Sequence, residues 1–288
     1  MENQVIAVSP METLQAINRS EVDIQISTAK QWPRNIEQSL NRIRAYATID
    51  TETAEDCFYA LRRGNGSNAQ VIEGISVRLA EIIAGAWGNL RVQTRIIGND
   101  GRTITAQGIC HDLETNIAVS VEVKRRITYS NGATYSEDMQ VVTGNAASAI
   151  AFRNAVLKVV PKAVTAKVIQ EIKRVAMGKS IDVETKRQNM LAYYSRLGVS
   201  CEDILDYCGV DSVDKIDASM IFELSGVKNA IKEGTTSVQE VFRRNKINAE
   251  KVAEEAKSKA INAKKKADKA AMQAMQTAGQ ESFMKQPE

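Results

Sequence analysis

Between Leu90 and residue 128 the chain sets apolar and polar residues in alternation, broken twice by turn residues, and a run of that kind has few folds open to it. Leu90, Val92, Thr94 and Ile96 alternate with Arg91, Gln93 and Arg95, the period of two that belongs to a strand with one dry face. Gly98-Asn99-Asp100-Gly101 follows, and Asn, Asp and Gly are the residues that enter a tight hairpin turn at least cost. A second strand is predicted over Thr103–Cys110, a turn over Asp112–Asn116, and a third strand over 117–128. That third strand puts Ile117, Val119, Val121 and Val123 on one face and Ser120, Glu122, Lys124 and Arg126 on the other. Three antiparallel strands with one apolar face need a layer of helices to cover it. Ser130-Asn131-Gly132 marks another turn, and Tyr135–Val142 reads as a short fourth strand.

The covering helices are legible on both sides of the meander. Ile36, Leu40 and Ile43 recur at helical spacing, a second short helix is predicted through Cys57, Tyr59 and Leu61, and Gly64–Asn68 has the composition of a loop. Ser76–Trp87 is amphipathic and closes on Gly88. Downstream, an alanine-rich helix is predicted from Asn145 to Val160, suited to close packing on a sheet. Pro161 stops it and opens a second helix running to Met177, since proline is tolerated in a first helical turn and not in an interior. Short helices follow at Met190–Leu197, Cys201–Tyr207, Ala218–Leu224 and Val227–Lys232. The predicted class is therefore α+β: an antiparallel β-meander packed with helices, then a small helical C-terminal module and a basic tail. Its divisions are an N-terminal arm at 1–34, an α+β core at 35–179, an acidic helical module at 185–240 and a Lys/Ala-rich tail at 241–288.

Composition narrows the chemistry. The 288 residues are 43% hydrophobic and 25% charged, an ordinary globular balance, and no stretch approaches the run of apolar residues that a membrane span or secretory leader needs. The expectation is no membrane and a cytoplasmic setting in a bacterial host cell. Cys57, Cys110, Cys201 and Cys208 are unevenly spaced and His111 is the sole histidine. That predicts free thiols, a reducing compartment, no zinc site and no Ser-His-Asp or Cys-His device. His111 reads as a solvated residue at a strand end. Gly64-Asn65-Gly66 lacks the Gly-Lys-Ser/Thr ending of a phosphate loop, so ATP-driven mechanisms are not expected. No cofactor and no metal are called for, and the chain is not expected to be an enzyme.

Net charge is +3, but its distribution says more. Residues 90–178 hold twelve basic side chains against seven acidic, whereas residues 180–242 hold six against eleven. Within 139–178 Glu171 stands alone against Arg153, Lys158, Lys162, Lys167, Lys173 and Arg174. Such a segment presents positive charge to a polyanion, or else a solvated helix face paired with the acidic segments elsewhere. The candidate constellation is Arg91 and Arg95 on the first strand, Lys124, Arg125 and Arg126 on the third, and Arg153, Lys158 and Lys162 on the following helices. Cations on a sheet and helix hold phosphates by charge without reading bases. Aromatics are 5% of the chain, a thin supply for base stacking, and Trp32, Tyr129 and Tyr135 read first as structural. The alternative is a metal-dependent nuclease, because Asp112 followed by Glu122-Val123-Lys124 imitates an Asp…Glu-x-Lys order in which two carboxylates hold magnesium and lysine orients water.

Gln140-Val141-Val142-Thr143-Gly144-Asn145-Ala146-Ala147-Ser148, with Arg153 and Leu157 beyond it, resembles the phage single-strand annealing proteins, most closely the Erf type, related to RecT and Red-beta proteins. The resemblance covers roughly residues 70–178, with an acidic helical module and basic tail of similar arrangement behind it. It implies ATP-independent binding of single-stranded DNA, annealing of complementary strands through a duplex intermediate in phage-type recombination, and assembly of a homo-oligomer as a ring or filament. It also implies that residues 185–240 recruit a host single-strand-binding protein or a phage exonuclease. On this reading Gly144 either opens a helix N-terminus to a phosphate or serves as a turn between strand and helix.

Overall fold

The middle strand of the meander decides how the layers pack. In the computed structural model, which describes residues 10–63, 70–129, 131–177 and 183–243, β3 (Leu90–Asn99), β4 (Thr103–Asp112) and β5 (Ile117–Arg126) form an antiparallel sheet in the order β3-β4-β5. Along β4 every second residue is buried: Ile104, Ala106, Gly108, Cys110 and Asp112. The small ones among them admit a helix at very short range. Helix α5 (Glu137–Val159) lies on this face, and a Cβ on Gly108 would stand 2.3 Å from the Ala151 carbonyl oxygen. Ala147 and Ala151 of α5 are wholly buried with Ile104, Ala106 and Ile127. The architecture is α+β, with the alanine-rich helix on the sheet as its composition predicts.

A second core joins α5 to α2 (Ile36–Ala47), α4 (Val77–Trp87) and α6 (Lys162–Met177) through Ile43, Leu79, Ile83, Trp87, Val156, Val168 and Ile172. The helix starts follow cap chemistry. Asn35, Ser76 and Ser136 each accept a hydrogen bond from the backbone N–H three residues on. Cys57 and Cys110 sit in this core, where burial pushes their thiols up to about 12 and about 11.

Three local expectations are corrected. No fourth strand forms at Tyr135–Val142: one bridge joins Thr128 to Thr134, and Ser136 with Glu137 and Asp138 then starts α5, because a capping serine and an acidic first turn outweigh the β-propensity of two valines. Gly144 therefore lies inside α5 and is not at a strand-helix turn or a helix N-terminus; its missing side chain makes room for Ile104, 3.1 Å from where a Cβ would be. The short helix expected through Cys57, Tyr59 and Leu61 ends at Asp56 (α3, Thr51–Asp56). Phe58–Arg63 is strand β1, paired antiparallel with β2, Gln70–Ile75; residues 64–69, with the loop expected at Gly64–Asn68, lie outside the described residues. In the N-terminal arm, Pro10–Gln31 is helix α1, of which Ala29 is buried while Ile17 and Ile24 are half exposed or more.

The acidic helices do not stand apart from the core. Residues 1–237 form one compact unit and 238–288 another, described as far as one π-helical turn, Gln239–Arg243. Within the first unit, α7 (Val183–Arg196) and α8 (Cys201–Cys208) precede α9 (Ala218–Lys232), a single helix where two were expected. Helix α9 packs along β1, with Gly226 so close that a Cβ would meet the Ala60 nitrogen at 2.7 Å. Asn229 Nδ2 donates to the carbonyls of Glu55 and Phe58, both at 2.9 Å. A lone two-stranded hairpin is marginal in water, and α9 is the element that covers it. The basic tail beyond Arg243 and the linker at 178–182 lie outside the described residues.

Candidate nucleic-acid interface

Strand register divides the candidate cations between two faces. Arg91 pairs with His111 and Arg95 with Gln107, while Lys124 pairs with Thr105 and Arg126 with Thr103. These partners are the half-buried alternates of β4, so all four cations belong to the sheet face turned away from α5. Arg125 pairs with buried Ile104 and points to the helix side. There its guanidinium donates to the Gly234 carbonyl and, at 3.4 Å, to that of Thr235. It ties β5 to the end of α9 and is not available to a ligand on the open face.

Arg153 is also taken. Its side chain is 8% exposed, 3.6 Å from Glu233 Oε2, with the guanidinium over the Tyr59 ring at 4.7 Å. Glu233 Oε1 meanwhile accepts from the Val77 N–H at 2.8 Å. Burial pushes the Glu233 carboxyl above its ordinary range, against the hydrogen bond from Val77 and the charge of Arg153. Lys158 and Lys162 are exposed, but they sit in the helical layer across the sheet from Arg95, Lys124 and Arg126. Of the eight candidate residues the fold thus brings four onto one surface: Arg91, Arg95, Lys124 and Arg126.

On that surface the neighbours are mostly neutral polar groups, Gln93, Gln107, Thr103, Thr105 and Ser120, with Glu122 the one carboxylate among the named strand positions. The cations run diagonally from the start of β3 to the end of β5, about 27 Å at the rise of an antiparallel strand. Arg102, exposed in the β3–β4 turn next to Thr103, extends the positive end; an arginine inside the hairpin turn was the signal for it. Arg91 has company: its Nη1 donates to Gln25 Oε1 of α1 at 2.9 Å, and Glu21 Oε2 lies 3.9 Å away. His111 Nε2 is 3.0 Å from Asn116 Oδ1, which holds the ring at the strand end.

The nuclease trio is not assembled. Asp112 is on the helix side of β4, its side chain 9% exposed, and Arg34 Nη2 donates to Oδ1 at 2.6 Å. The same oxygen accepts from the backbone N–H groups of Glu114 and Thr115. Glu122 and Lys124 project from the opposite face. No group of three His, Cys, Asp or Glu side chains able to hold a metal ion occurs among the described residues.

Arg34, which the sequence reading passes over, is the buckle of this end of the sheet. It reaches Asp112 and, through Nε and its backbone N–H, Glu114 Oε1 at 2.8 and 2.9 Å, with its guanidinium 5.1 Å from the Trp87 ring centroid. Burial would raise the Glu114 pKa, but hydrogen bonds from Arg34 and Asn89 outweigh it and hold the carboxyl below its ordinary value. No helix among the described residues is long and apolar enough to cross a membrane. Compared with known proteins, the chain matches no family model, no curated protein and no solved structure.

Proposed function

We propose that this chain binds single-stranded DNA by its phosphates along the open face of the β3-β4-β5 sheet and, as a homo-oligomer, anneals complementary strands without ATP. The observation that carries the reading is the convergence of Arg91, Arg95, Lys124 and Arg126 on the sheet face turned away from α5, where Glu122 is the one carboxylate among the named strand positions and Glu21 of α1 approaches Arg91. Neutral amides and hydroxyls between the cations offer further hydrogen bonds to phosphate and none of the dense donor and acceptor pattern that reads base edges. Backbone-led binding leaves the bases outward, where a complement reaches them. Copies set side by side continue the track from one sheet to the next.

The test is charge reversal against a matched control. Arg95→Glu, Lys124→Glu and Arg126→Glu together remove binding of a fluorescent oligonucleotide, measured by anisotropy, whereas Lys158→Glu with Lys162→Glu leaves it within about twofold. Four neutralised phosphates give a slope of about −3 in log affinity against log salt for a single strand. Annealing of complementary oligonucleotides proceeds in the presence of a chelator. Equal losses in the two reversal variants, or a salt-independent affinity, would remove the sheet face from the site.

A further inference from the structure

The chain carries an indole that is fixed in place and left in water. Trp32 is 69% exposed, the most exposed aromatic side chain among the described residues, although tryptophan is among the most buried residue types on average. Its backbone is nonetheless held from both sides. The Trp32 N–H donates to the Thr28 carbonyl at 2.9 Å, and Asn89 Nδ2 donates to the Trp32 carbonyl at 2.9 Å. Asn89 also donates to Glu114 Oε1 at 2.6 Å, the oxygen that Arg34 grips two residues further along the chain from Trp32. Trp32 thus rides on a buried ionic buckle and is not part of a loose arm.

Its position matters as much as its exposure. Asn89 immediately precedes β3, so the segment is anchored two residues from Arg91. Helix α1, which leads into Trp32, touches Arg91 through Gln25 and Glu21. The Trp32 backbone is therefore anchored at the end of the sheet where Arg91 pairs with His111. A ligand that engages both the cationic face and an exposed flat apolar ring anchored at its end must pair an anion with an unshielded aromatic plane, which describes an unpaired nucleotide. In a duplex that plane is occupied by its neighbours.

We infer that Trp32 is a nucleobase-stacking residue at the β3 end of the phosphate track, selecting single strands over duplex. This rests on the proposed binding face and adds a contact to the base itself. Pre-fixing the backbone that carries the ring lowers the ordering cost of the contact, and one stacked base contributes enough that truncating the ring weakens binding by about fivefold or more.

The protein contains its own probe. Of the two tryptophans, Trp87 is 4% exposed, so a change of emission on adding a strand reports Trp32. The full chain is titrated with oligothymidylate and with an abasic deoxyribose-phosphate strand of the same length. Oligothymidylate quenches the emission and the abasic strand does not. Trp32→Ala weakens oligothymidylate binding by about fivefold or more and leaves abasic binding unchanged, and Trp32→Phe keeps most of the affinity while losing the quench. An equal effect of Trp32→Ala on both strands, or a quench that survives in Trp32→Phe, overturns the assignment while leaving the phosphate track standing. A Trp32→Ala chain that changes its sedimentation but not its strand affinity gives the indole to a contact between copies and overturns it too. If neither strand binds the unaltered protein, the binding face itself falls.

Discussion

At the scale of single residues, the same side-chain type takes opposite roles a few ångströms apart. Lys124, Arg125 and Arg126 are consecutive, yet the two-residue period of β5 sends the outer pair to solvent and the middle one to the carbonyls at the end of α9. A block reversal of all three would damage the fold as well as the face, which is why Arg125 is left out of the binding test. Asp112 and Arg34 form a pair whose side chains are 9% and 8% exposed, and removing one partner of a buried pair costs about 3 kcal/mol or more. The pH behaviour of this cluster follows from Glu114. Its folded pKa lies below the ordinary value of 4.5, so its contribution to stability is complete above that value and is lost as pH falls through the lower, folded pKa. Urea midpoints are expected to drop as pH falls below the ordinary glutamate value of 4.5, and Glu114→Gln is expected to flatten that drop while lowering stability at neutral pH.

At the scale of elements, the sequence patterns that succeed are those a segment carries by itself. The alternation in β3, β4 and β5, the helical spacing of α2, the close of α4 at Gly88 and the break at Pro161 all come out at or near the predicted positions. The patterns that fail depend on what lies above the segment. Residues 58–63 are a strand because β2 pairs with them and α9 covers them, whereas the helix at 137–144 starts from its own cap at Ser136 and only further along, at Ala147 and Ala151, meets the floor of Ala106 and Gly108 on β4. That floor makes a sharp prediction. Gly108→Ala drives a methyl into the Ala151 carbonyl, and overpacking of this kind costs about 1–3 kcal/mol. The check is a chemical melt of the variant, read by both circular dichroism and tryptophan fluorescence; an unchanged midpoint would mean that α5 lifts freely off the sheet.

At the scale of the whole molecule, the helical segment after residue 182 is structural. Glu55 of α3 receives Lys186 at 2.8 Å, Tyr194 Oη donates to the Leu224 carbonyl at 2.7 Å, and Glu233 anchors both the start of α4 and Arg153. The sequence reading set residues 185–240 apart from the α+β core as a recruitment module. The packing leads to the opposite expectation: a chain ending at Met177 exposes β1, leaves Arg153 without its carboxylate and fails to give a cooperative thermal transition. Size-exclusion chromatography of that truncation decides the point, since a compact, soluble, strand-binding fragment would restore the modular picture.

What the sequence determined by itself is the meander, its two chemically distinct faces and most of the helices around it, because alternation, caps and proline act within a few residues of where they are written. Which of eight cations share a surface was decided only in three dimensions. Register put Arg125 behind the sheet, Glu233 arrived from eighty residues downstream to occupy Arg153, and Asn89 tied the Trp32 backbone to the start of β3. Charge along a chain is a local property, whereas a binding face is set by which side of a sheet each charge leaves from and by what distant segment reaches it first.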